Sequence, residues 1–185
     1  MTNSEPCLFV TDYASYNEGT QFEFGHWVKL TDFRNANDFS TYLFFHFMEC
    51  DEKRPLGCGS QREEYMFTDY ENFPRAFYSE SMSGDDMKRL FMFIELSDED
   101  KRKATYLLDQ GESADYALSF YENVYMSEYD GTNRAKWDLF HEFYPEAEIA
   151  EQSNEYLTID YDRFINEKFN EFEYDGTRYL VERYY

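Results

Sequence analysis

Carboxylates are the side chains with which this chain could do chemistry, and they are densest between Pro145 and Asp175. That stretch, PEAEIAEQSNEYLTIDYDRFINEKFNEFEYD, holds ten acids (Glu146, Glu148, Glu151, Glu155, Asp160, Asp162, Glu167, Glu171, Glu173, Asp175) against two bases, Arg163 and Lys168. Fixed carboxylates suit a glycosidase-type acid pair, a calcium loop, or recognition of a basic surface. The pair cannot be read from sequence: among 39 Asp and Glu some pairing always looks suggestive. Asp160-x-Asp162 and Asp98-Glu99-Asp100 lack the calcium-loop ligand pattern and its central glycine. His46, Cys50 and Cys58 match no zinc spacing, and His26, His46 and His141 have no nucleophile partner in the sequence. No Gly-rich phosphate loop, dinucleotide fingerprint, HExxH or GxSxG occurs. No metal or cofactor is expected, and the chain reads as a non-enzyme. Two alternatives stay open: a small carboxylate-dependent enzyme of glycoside-hydrolase type, and an acidic interaction module for some other basic partner.

The charge balance favours recognition. Asp and Glu number 39 against 17 Lys and Arg, a net −22 with a pI near 4.3. A field of that sign repels nucleic acid and anionic membrane and attracts basic surfaces. Residues 1–62 carry net −4, residues 63–112 net −7 and residues 113–185 net −11, so the last two fifths hold half the charge. Disorder is not implied, because 21% of residues are aromatic and 42% hydrophobic. Three cysteines fit a reducing compartment with no disulfide framework. The start has neither a basic flank nor a long apolar run, which predicts a soluble, cytoplasmic protein.

The elements that position these acids read as α+β, in three small domains. Residues 1–72 form a ββαβ-type unit: strands at 7–12 and Phe22–Leu30, a helix from an Asn37 cap through Cys50, a loop over Asp51–Arg62, and a strand at Glu64–Thr68. Trp27 is expected in the core. Residues 73–112 are helical, over Asp85–Leu96 and then from a Ser97 cap to Gly111, with Glu99 meeting Lys103 and Asp98 meeting Arg102. Residues 113–185 form an acidic α+β domain. It has a helix over Ser113–Met126, a Thr132-capped helix closed by Pro145, and a second helical stretch. There Tyr161, Phe164, Ile165, Phe169 and Phe172 share a buried face beside a stripe of Asp160, Glu167 and Glu171. Asp175-Gly176 marks a hairpin. Outward acids with no nearby base are the candidate partner-binding residues: Asp115, Glu122, Asp138, Glu142, Glu146, Glu148, Glu151, Asp160, Glu167 and Glu171. Duplex DNA carries about one charge per 1.7 Å, so 22 net charges correspond to roughly 37 Å of duplex, about 11 base pairs. The hypothesis is imitation of DNA.

Four segments carry a resemblance. LFVTDYASYNEG with GHWVKL (Leu8–Gly19, Gly25–Leu30) resembles the opening of the ArdA antirestriction proteins. EEYMFTDYENFP (Glu63–Pro74) is similar to that family's acidic-aromatic hallmark, and FYENVYMSEYDG (Phe120–Gly131) and YLTIDYDRF (Tyr156–Phe164) to its later landmarks. The resemblance implies three small domains in an elongated, curved arrangement and a two-fold homodimer. It further implies imitation of bent B-form DNA, blocking type I restriction–modification enzymes at their specificity and methyltransferase core. The family's short antirestriction motif corresponds to roughly Ile149–Asp162.

Overall fold

The computed structural model describes residues 5–57, 61–154 and 157–183. Cys58, Glu155 and Tyr156, named above, lie outside the described residues. The fold is α+β, and contacts divide the chain into two units, Met1–Ser119 and Phe120–Tyr185.

In the first unit β1 (Cys7–Asp12) is the middle strand of an antiparallel sheet, between β2 (His26–Lys29) and β3 (Tyr65–Glu71), with an irregularity between Phe9 and Val10. The third strand runs longer than its Glu64–Thr68 expectation. Between β1 and β2 the chain does not stay extended. Asp12 accepts a hydrogen bond from the Ser15 amide at 2.7 Å and starts α1 (Tyr13–Asn17), which ends before Gly19 at φ 73°. The expected strand over Phe22–Leu30 is only half right: Gln21–Phe24 form a helical turn, α2, and β2 begins after Gly25. Gly25 makes the switch possible, because a Cβ there would stand 2.3 Å from the Gln21 carbonyl and 2.8 Å from the Phe9 ring. Trp27 is not core; it is 43% exposed.

The cap of helix α3 (Ala36–Lys53) lies two residues before the expected one, because Asn35, not Asn37, accepts from the Asn37 and Asp38 amides. It buries Ala36, Phe39, Leu43, Phe47 and Cys50, spaced at three and four residues as a core-facing stripe requires. The Phe39 ring meets Phe67 of β3 at 6.1 Å and Phe91 of α4 (Gly84–Glu95) at 6.0 Å. Ser83 and Asp86 close a full capping box on α4. Ser97 caps α5 (Asp98–Asp109), Glu99 pairs with Lys103 at 2.7 Å, and Gly111 takes φ 90°. Arg62, at the end of the loop after α3, is buried and ties this unit together. Its guanidinium lies 3.5 Å from the fully buried Asp12 and 2.6 Å from Asp51, donates to the Arg54 carbonyl, and sits over the Phe24 ring.

The expected helix over Ser113–Met126 is three pieces. Helix α6 (Ala114–Phe120) passes into a 3-10 turn at Tyr121–Asn123 and then into strand β4 (Met126–Glu128). Helix α7 (Asn133–Phe143) is capped by Thr132 as expected. Pro145 does not merely close it. It occupies the first turn of a further helix, α8 (Pro145–Ser153), where its missing amide costs nothing. Helix α9 (Tyr161–Lys168) stops at Lys168, and Phe169 and Phe172 belong to strand β5 (Phe169–Tyr174). Both rings are buried, but Glu171 does not continue a helical stripe with Asp160 and Glu167. The hairpin to β6 (Thr177–Glu182) turns at Asp175 (φ 50°) and Gly176 (φ 73°), the left-handed pair that a two-residue turn demands. The sheet order is β4-β6-β5, and the unit's core gathers Tyr129, Leu139, Phe164, Ile165, Phe169 and Leu180. No described helix is long and apolar enough to cross a membrane.

Candidate partner-binding surface

Six of the ten candidate acids, Asp115, Asp138, Glu142, Asp160, Glu167 and Glu171, stand on elements whose other side is buried. Asp138 and Glu142 are one turn apart on α7, on either side of buried Leu139 and His141. Glu146 and Glu148 stand in the first turn of α8, where the helix dipole favours negative charge. This helix buries no residue, carries no base, and leaves Ile149 71% exposed. No Lys or Arg occurs anywhere between Lys136 and Arg163. Asp160 caps α9 by accepting from the Arg163 amide at 3.0 Å, and Glu167 lies in the last turn of that helix. Glu122 sits on the 3-10 turn and Glu171 on β5. Nine of the ten candidate acids are exposed and Glu151 is half-buried. Asp115, on α6, belongs to the first unit, and the other nine belong to the second.

Four of the ten have a base close by, contrary to expectation. Arg89 reaches Asp115 at 3.2 Å, Arg134 reaches Asp138 at 2.8 Å and Arg163 reaches Glu167 at 2.7 Å. The last two are i,i+4 pairs with the base first, a spacing visible in the sequence; the first depends on tertiary proximity. Exposed pairs of this kind contribute about 0–1 kcal/mol, so a partner's cation can replace the internal one.

Glu151 is the fourth, and its partners make it structural as well as anionic. His141 is buried, with Nδ1 2.8 Å from the Trp137 carbonyl and Nε2 2.9 Å from Glu151 Oε2. The approach to Glu151 is off the line of the N–H: an ion-pair contact when the ring carries both protons, not a directed hydrogen bond. Tyr161 donates to the other oxygen of Glu151, so one carboxylate joins α7, α8 and α9. Burial, and then that hydrogen bond, push the Tyr161 phenol up to about 12. Tyr125 is pushed up to about 12 in the same way, by burial and then by its bond to Glu142.

The second unit has 16 acids against 6 bases, and the first has 23 against 11. Of the six bases, Arg134, Lys136 and Arg163 are in ion pairs. Arg178 lies over the Tyr129 ring and donates to the Asp130 carbonyl, and Arg183 donates to Phe169 and Asn170. Among the described residues, Glu122, Glu142, Glu146, Glu148, Asp160 and Glu171 have no cationic partner. Glu128, Asp130, Glu173 and Asp175 are further exposed acids of the same unit that stand outside the ten candidates. Strand alternation at Glu171 and Glu173, and the turn positions of Asp130 and Asp175, were the available signals.

A shallow cleft of about 390 Å³ is lined by Phe140, Tyr144, Asp160, Glu167 and Lys168. Its two carboxylates are committed to α9 itself, one as cap and one to Arg163, so no observation favours the carboxylate-enzyme reading. In the first unit His46 is a packing residue, half-buried, its Nε2 3.2 Å from the Phe24 carbonyl and 3.6 Å from Cys50 Sγ. No group of three His, Cys, Asp or Glu is gathered as for a metal among the described residues. What the surface can do chemically is present anionic oxygens to a basic partner.

A family model described as antirestriction protein (ArdA) matches residues 8–183. No curated protein and no solved structure matches the chain.

Proposed function

The chain belongs to the ArdA antirestriction family, and from that premise we propose that it mimics the charge and shape of B-form DNA and so blocks the DNA-binding channel of type I restriction–modification enzymes. Membership supports an antirestriction function and restriction–modification enzymes as the kind of partner. The finer reading rests on one observation: the exposed carboxylates of α7, α8, α9 and β5 stand on separate elements of a unit that holds 16 acids against 6 bases. A phosphate-reading channel holds DNA chiefly through Arg and Lys, and most of that binding is sequence-independent charge neutralisation. Carboxylates fixed in place can draw the same contacts without offering a base to read. The acting form is proposed to be a homodimer, and the ten acids named above are proposed as part of the contact.

The test is displacement. The purified protein is titrated into a type I methyltransferase core bound to a labelled duplex at several salt concentrations. Competitive release of the duplex, weakening as salt rises, is expected. Binding indifferent to both salt and competing duplex would reject the reading.

A further inference from the structure

The first unit's sheet has two unlike faces. Leu8, Val10 and Val28 are buried on one. On the other, Phe9 and Trp27 are cross-strand partners with rings T-shaped at 5.6 Å, and Phe22 of α2 meets Phe9 edge-on at 5.9 Å. Phe22 is 76% exposed and Trp27 43% exposed. Beside them in the ladder stand Asp69, the partner of Phe9, and Glu71, the partner of Cys7. Both are exposed, with no cationic partner among the described residues. Lys29 on the same face is already paired with Glu5.

We propose that this face is an interaction surface for arginine side chains of the restriction enzyme, a reading that rests on the function proposed above. A guanidinium stacks flat on an aromatic face while its edge pairs with a carboxylate, so one group satisfies both halves of the surface. Lysine is more strongly hydrated and gains less from the rings. An aliphatic partner would bury Asp69 and Glu71 without compensation, and nucleic acid is repelled by them. A DNA-reading enzyme presents arginines because it grips phosphates with them. The acidic field then steers the encounter, and the rings add a share of affinity that salt does not screen.

Two measurements decide it. In the first, Phe22→Ser/Trp27→Ser is compared with the unaltered protein for binding to the methyltransferase core over a salt series, with unfolding midpoints measured alongside. A loss of about 5- to 30-fold is expected, persisting at high salt and largely restored in Trp27→Tyr. The second needs no enzyme. In a Trp137→Phe background Trp27 is the one remaining tryptophan of two. An arginine-rich peptide should shield it from acrylamide quenching more than a lysine peptide of equal charge does. Equal shielding overturns the proposal, and so does serine-variant binding within twofold at every salt. A serine variant that changes only self-association overturns it too, by assigning the face to a second copy of this chain. Failure of the unaltered protein to bind the enzyme at all would sink the DNA-mimic reading instead, and the peptide comparison would still decide this one.

Discussion

At the scale of single residues, the groups that hold the fold are the few whose charges are not at the surface. Arg62 is the clearest. Removing it leaves Asp12 buried with no cation, so Arg62→Met is expected to cost about 3–5 kcal/mol in urea unfolding. Arg62→Lys should recover only part, because the fork that reaches Asp12, Asp51 and the Arg54 carbonyl is lost. The phenols give a second handle. Tyr125 and Tyr161 have folded pKa values of about 12 against 10.0 unperturbed. A raised pKa means stability present below pH 10 that is lost as pH rises through 12, since the folded form holds its proton more tightly. Tyr161→Phe should flatten part of that alkaline limb in a stability–pH profile. Neither role was legible in the sequence. Arg62 is 50 residues from Asp12 in the chain and meets it only in the fold, and Glu151 joins His141 and Tyr161 only once three helices are packed.

At the scale of elements, the sequence was a good guide wherever a local rule acts alone. Thr132 caps α7, Ser97 caps α5, and Asp175-Gly176 turns the hairpin, each through its own side chain or backbone preference. Thr132→Ala should therefore cost about 1 kcal/mol, seen as a lower urea midpoint with an unchanged slope. Local rules failed where two periods overlap. Phe169 and Phe172 satisfy helical spacing after Phe164 and Ile165, yet both are buried as strand residues because β5 must pair with β6. Pro145 was read as a stop when it begins a helix, since a proline is compatible with both. The short strand β4 carried no pattern of its own and exists through its pairing with β6. The candidate acids were legible as a class, but their bases were only half so: the i,i+4 pairs can be read from spacing, whereas Arg89 with Asp115 cannot.

At the scale of the whole molecule, the quantity that matters is the collective field. Charges in solution are screened over about 8–10 Å, so one carboxylate among many should be nearly dispensable. Glu148→Gln alone is expected to leave duplex displacement within about twofold, whereas Glu142, Glu146, Glu148 and Glu151 changed together to Gln should abolish it. Competitive displacement assays with matched unfolding curves check this; a single exposed amide that kills inhibition in a folded protein would contradict it. One consequence of α8 concerns how such a contact could be seen at all. With no Lys or Arg between 136 and 163, trypsin has nothing to cut across that helix. Limited digestion with trypsin would report the tract as inert whether or not an enzyme lay upon it. A glutamate-specific protease finds Glu146, Glu148 and Glu151 within three turns, and its cleavage pattern would register the partner's footprint directly.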